Sequence, residues 1–75
     1  MFTKMYEVTI EAMDAIKVAN LLSNERLWFR IGDEYRDYMD PERRWFRKVR
    51  IIATKRQIEN LCKAKTLVIN TQIVK

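Results

Sequence analysis

Residues 43–50 read Arg43-Arg44-Trp45-Phe46-Arg47-Lys48-Val49-Arg50, which places five cations and two aromatic rings within eight residues. Guanidinium and ammonium groups pair with phosphates or carboxylates, and flat rings stack on unpaired bases. The chemistry in this run is therefore recognition of a polyanion or of an acidic protein surface. The run begins where the chain changes sign. Residues 1–42 carry five basic and nine acidic side chains, whereas residues 43–75 carry ten basic ones and a single acid, Glu59, leaving the whole chain at +5.

Nothing comparable points to catalysis. The chain has no histidine, which removes the usual general base and the usual imidazole metal ligand. Cys62 falls on an apolar helical stripe with Ile58 and Leu61, the placement of a buried structural thiol. Lone Gly32 excludes a glycine-rich phosphate loop. Asp33, Glu34, Asp37, Asp40 and Glu42 cluster in one segment, but their spacing matches no calcium or magnesium loop, so a solvated connection is expected. We expect no enzyme activity, no catalytic residue, no metal site and no cofactor.

The elements that must carry the basic run follow from periodicity. Residues 4–10 alternate, with Tyr6, Val8 and Ile10 on one face and Met5, Glu7 and Thr9 on the other, which predicts a half-buried strand. From Met13 to Leu22 the spacing turns helical, with Ala12, Ala15, Ile16, Ala19 and Leu22 inward and Ser23-Asn24 as the end. Leu27–Ile31 alternates again, placing Trp28 and Arg30 opposite Leu27, Phe29 and Ile31. Residues 33–42 form a long charged connection or a β-arm, with a turn at Asp40-Pro41. Trp45–Ala53 is a third strand, with Val49, Ile51 and Ala53 inward and Phe46, Lys48, Arg50 and Ile52 outward. Thr54-Lys55-Arg56-Gln57 fits a capping box that opens a second helix, whose inner stripe is Ile58, Leu61, Cys62 and Lys65. Residues 66–74 form a last strand, with Leu67, Ile69 and Ile73 inward.

The order β-α-β-β-α-β predicts one α+β domain over residues 1–75. It is the ferredoxin-like pattern, a four-stranded antiparallel sheet with two helices on one face. The uncovered face would then gather Trp28, Arg30, Phe46, Lys48 and Arg50, with Arg43, Arg44 and Arg47 beside them. That constellation implies binding to RNA or single-stranded nucleic acid in preference to duplex DNA. A second reading stays open, in which Tyr35, Tyr38 and Met39 in the acidic connection contact a protein partner. Exposed sheet edges and opposite charges in the two halves predict a twofold homodimer. One cysteine, no apolar run of membrane-spanning length and no secretory signal predict a cytoplasmic protein.

The RNA-recognition motif shares this order of elements. The third strand here lacks that family's glycines, and the first presents Met5, Glu7 and Thr9 rather than a stacking ring, so the chain is not assigned to it. A short strand ending Ile10-Glu11-Ala12, an alanine-rich helix and aromatic-basic strands resemble small accessory proteins of tailed phages. Many of those inhibit host or defence machinery. The resemblance implies the host cytoplasm as the compartment and a host protein complex as the alternative partner.

Overall fold

The computed structural model describes residues 2–63 and 68–74. Among them the chain runs through strand β1 (Lys4–Glu11), a 3-10 turn (Ala12–Asp14) and helix α1 (Ala15–Asn24). Strands β2 (Trp28–Ile31), β3 (Tyr35–Arg36) and β4 (Trp45–Ala53) follow, then helix α2 (Lys55–Lys63) and strand β5 (Val68–Ile73). The fold is a small α+β unit whose sheet has the order β2-β4-β1-β5, with β3 also beside β4. All its pairings are antiparallel. The sequence predicts four strands and five are present. The additional one forms where Tyr35 and Arg36, inside the charged connection, pair with Phe46 and Trp45.

Alternation along β1 builds the core. Tyr6, Val8 and Ile10 turn to one face of the sheet, where Val49, Ile51 and Ala53 of β4 join them, and Val18, Leu22, Ile58 and Leu61 close the same cluster from the two helices. Both helices therefore lie on one face, and among the described residues no helix covers the other. Fully burying each of the valine, isoleucine and leucine side chains contributes about 1.5–3 kcal/mol.

The expected stripe of α1 is displaced. Val18 is fully buried, whereas Ile16 is 75% exposed. The first turn is a 3-10 turn, with three residues per turn instead of 3.6, so three residues there advance the phase by about 60° more than an α-helix would. The inward row becomes Ala15, Val18 and Leu22. The helix runs on through Ser23 and Asn24 and stops in a Schellman arrangement. Leu27 N–H donates to Leu22 O at 3.1 Å, Arg26 N–H donates to Ser23 O at 3.0 Å, and Arg26 is left-handed with φ 58°. Leu27 and Leu22 then pack in the same cluster, the contact this motif favours.

Helix α2 opens as its sequence predicts. Thr54 N–H donates to Gln57 Oε1 at 2.8 Å, and Gln57 N–H donates back to Thr54 Oγ1 at 3.2 Å. Cys62, expected inside, is exposed and lies 3.3 Å from Thr71 Oγ1. It stands at the margin of the stripe that Ile58 and Leu61 bury. In β5 the inward residue is Val68, not Ile69, which is 45% exposed. Thr9 pairs with Asn70 but Ile10 pairs with Val68, so Ile69 is an extra residue that reverses the side-chain parity beyond it. Lys65 and Leu67 lie outside the described residues.

Candidate nucleic-acid interface

The uncovered face is laid out by register. Arg30 pairs with Arg50, Arg50 with Glu7, and Glu7 with Gln72, so these four side chains form one row across four strands. A neighbouring row places Trp28 beside Ile52 and Ile52 beside Met5, and on the other side Lys48 lies next to Thr9. Arg30, Lys48 and Arg50 are exposed and Trp28 is 51% exposed. Three of the cations expected to converge therefore do so, alongside one indole.

A depression of about 320 Å³ lies among Arg30, Lys48, Arg50, Glu7 and Gly32. Gly32 lines it, and its N–H donates to Lys48 O at 2.8 Å. A Cβ at this position would come within 3.0 Å of that same carbonyl oxygen, so a side chain would disturb the approach.

Glu7 is the residue that composition alone does not place. Its carboxylate lies 3.4 Å from Lys48 Nζ and 3.5 Å from Arg50 Nε, and it accepts a hydrogen bond from Gln72 Nε2 at 3.1 Å. Burial works to raise its pKa, but the Gln72 hydrogen bond and the two cations outweigh that, so the group lies below its ordinary 4.5. At neutral pH the patch thus holds three cations against one carboxylate. Its signal in the sequence is the outward parity of Glu7, although only the register sets it between Lys48 and Arg50.

The other expected contacts have different surroundings. Phe46 shares the parity of Lys48 and Arg50 yet is only 5% exposed. The Tyr35 ring lies 5.9 Å from it and the Arg44 guanidinium 5.3 Å above it. The cause is a second extra residue. Ile31 pairs with Val49 and Tyr35 with Phe46, so four steps on one side match three on the other, and Tyr35 is turned onto the face of Phe46. Phe46 therefore does not present its ring beside Trp28, and Tyr35 is half-buried.

Comparison of the chain with known protein families, with curated proteins and with solved structures finds no match. Its chemistry has to be read from its own geometry.

Arg44 is held on three sides. It meets Glu11 at 3.1 Å, Asp40 at 3.2 Å and Glu42 at 3.2 Å, and its backbone N–H donates to Asp40 Oδ2 at 2.8 Å. The hydrogen bonds from Arg44 hold the Asp40 carboxyl below its ordinary 3.8, and Asp40 and Glu11 in turn raise the pKa of Arg44. Arg47 donates to Gly32 O at 2.8 Å and meets Glu34 at 3.3 Å, bracing the bulge between β2 and β3. Both arginines are thus engaged within the fold.

Arg43 is exposed on the turn, with φ 54°. Tyr38 and Met39 are 97% and 87% exposed on that turn. Trp45, which its parity predicts to face the helices, is 49% exposed because its cross-strand partner is Arg36 and not a helix. Among the described residues no three metal-ligating side chains converge, and no helix is long and apolar enough to cross a membrane.

Proposed function

We propose that the chain binds single-stranded nucleic acid, RNA included, through the uncovered face of its sheet. One observation supports this above the others: Arg30, Lys48 and Arg50, from two adjacent strands, surround a single depression beside a half-exposed indole. Phosphates would pair with the three cations, and a base would stack on Trp28. The reading assigns the chain no catalytic step. It also takes the sheet as ferredoxin-like, on the ground that β2-β4-β1-β5 is the strand order of a split βαβ pair, with β3 as an extension of β2 past the bulge.

Glu7 makes the proposal specific. It competes with phosphate for Lys48 and Arg50, so the patch is held partly neutral until a polyanion displaces the carboxylate or the carboxylate is lost. The test is the affinity for a short unstructured RNA, measured by fluorescence anisotropy across a salt series. Trp28→Ala should weaken binding by about 1–3 kcal/mol, and Arg50→Ala should flatten the salt slope by about 0.7. Glu7→Gln should tighten binding, the opposite of what loss of a structural ion pair alone would do. If the wild-type protein shows no salt-sensitive affinity for RNA or single-stranded DNA, the proposal fails. The exposed Tyr38 and Met39 would then favour the protein-partner reading.

A further inference from the structure

The turn between β3 and β4 carries a feature that the uncovered face does not use. A cavity of about 510 Å³ is lined by Arg36, Asp37, Tyr38, Arg43 and Trp45. It holds an indole open on one side, a phenol almost wholly in solvent and two guanidinium groups. The Arg36 guanidinium lies 5.1 Å from the indole centroid, so one part of the ring is occupied and the rest is available. Among the described residues neither Arg36 nor Arg43 has a carboxylate within 4.0 Å. Arg44, one residue away, has three.

The turn that presents these groups is ordered in advance. Asp40 N–H donates to Asp37 O at 3.0 Å and Arg43 N–H to Asp40 O at 3.1 Å, and the Asp40 side chain is locked on Arg44. Asp37 Oδ1 accepts from Met39 N–H at 2.9 Å. The lock holds Arg43 in a left-handed conformation that is costly for any residue with a Cβ. Strain kept at an exposed arginine, next to open aromatic surface, is the pattern of a preorganised binding site.

We infer that this cup binds a nucleoside 5′-phosphate, either free or as the terminal unit of a strand. The base stacks on Trp45 against Tyr38, and the phosphate takes the guanidinium fork of Arg43, which suits bidentate pairing. Asp37 disfavours a bare inorganic anion, so stacking and charge are both required. The site lies seven residues along β4 from Ile52, the neighbour of Trp28, and needs nothing from the uncovered face.

In the Trp28→Phe protein Trp45 is the only indole, and its fluorescence reports this cup alone. Titration with AMP should give saturable quenching, with adenosine and inorganic phosphate each at least about tenfold weaker, the loss expected when one charge-assisted contact or the stack is missing. Arg43→Gly relieves the backbone strain and so preserves the turn, yet it should abolish the preference for AMP over adenosine. An RNA oligomer with a 5′-phosphate should outbind its 5′-hydroxyl counterpart if the strand terminus is the ligand. Equal affinity of the two oligomers, with AMP still binding, assigns the cup to the free nucleotide. Equal quenching by AMP and adenosine overturns the inference, as does no quenching by any of the three; the Arg36–Trp45 pair is then only a cross-strand lock. Failure of the uncovered-face proposal appears separately, as RNA affinity indifferent to Trp28→Ala.

Discussion

Phe46 and Arg50 stand on the same face of β4, yet their surroundings are opposite. Around Phe46 the face is closed: Tyr35 and Arg44 cover the ring, and the arginine is tied to Glu11, Asp40 and Glu42. Around Arg50 the face is open, and Arg50 and Lys48 share one carboxylate, Glu7. The five cations of residues 43–50 are contiguous in sequence but do not form one electrostatic patch. Two of them brace the connection that precedes the strand, two form the open face, and Arg43 stands apart on the turn. A charge run leaves its cations open only where no nearby loop returns with carboxylates of its own.

The sharpest way to break this comparison is Phe46→Ala. If the ring is packed under Tyr35 and Arg44, its loss should cost about 3–5 kcal/mol of unfolding free energy, read by urea denaturation. A loss near zero would mean that the cover is absent and that Phe46 is free to stack beside Trp28. Lys48→Ala on the open part should change stability by no more than about 0.5 kcal/mol.

Acid separates the two ends by a different route. Asp40 and Glu7 both have pKa values below their ordinary 3.8 and 4.5. A carboxyl whose pKa is lowered in the folded state stabilises the fold above its unfolded pKa, and that contribution fades as pH falls through the folded value. Thermal stability should therefore fall below about pH 4.5, the unfolded range of these carboxyls. Asp40→Asn should lower the melting temperature at pH 7 and make the remaining loss on acidification shallower. Unchanged acid behaviour in that variant would remove the Asp40–Arg44 lock from the account.

A small effect of opposite sign is expected at Arg26, the other left-handed arginine. Unlike Arg43 it closes a helix, where its N–H donates to Ser23 O at 3.0 Å. Arg26→Gly should raise stability by up to about 1 kcal/mol, the cost of a left-handed residue less the greater entropy loss of glycine. Equal thermal stability of variant and wild type would mean that the Arg26 side chain offsets its own strain.

Much of this was legible in the sequence, because the forces involved are local. Alternation set β1 and β4, and the Thr54–Gln57 box opened α2 where its hydroxyl and amide reach the backbone. The parity of Trp28, Arg30, Lys48 and Arg50 put them outward, as the register has them. Less legible were Val18 replacing Ile16, Val68 replacing Ile69, and Tyr35 covering Phe46. Each of these follows a change of phase, from a 3-10 turn or from one extra residue in a strand.

The sequence by itself determined the order of the two helices and of four of the five strands, the buried faces of β1 and β4 and the sign reversal at Arg43. Side-chain period, capping chemistry and charge are properties of neighbours along the chain. Tertiary structure decided which cations remain available and which rings are covered. A one-residue bulge reverses every side chain beyond it, and only the pairing partner fixes where the extra residue falls. The bulge beyond Gly32 brought Tyr35 over Phe46, and the turn behind it brought Asp40 and Glu42 to Arg44. What remained open was the smaller patch of Trp28, Arg30, Lys48 and Arg50 around Glu7.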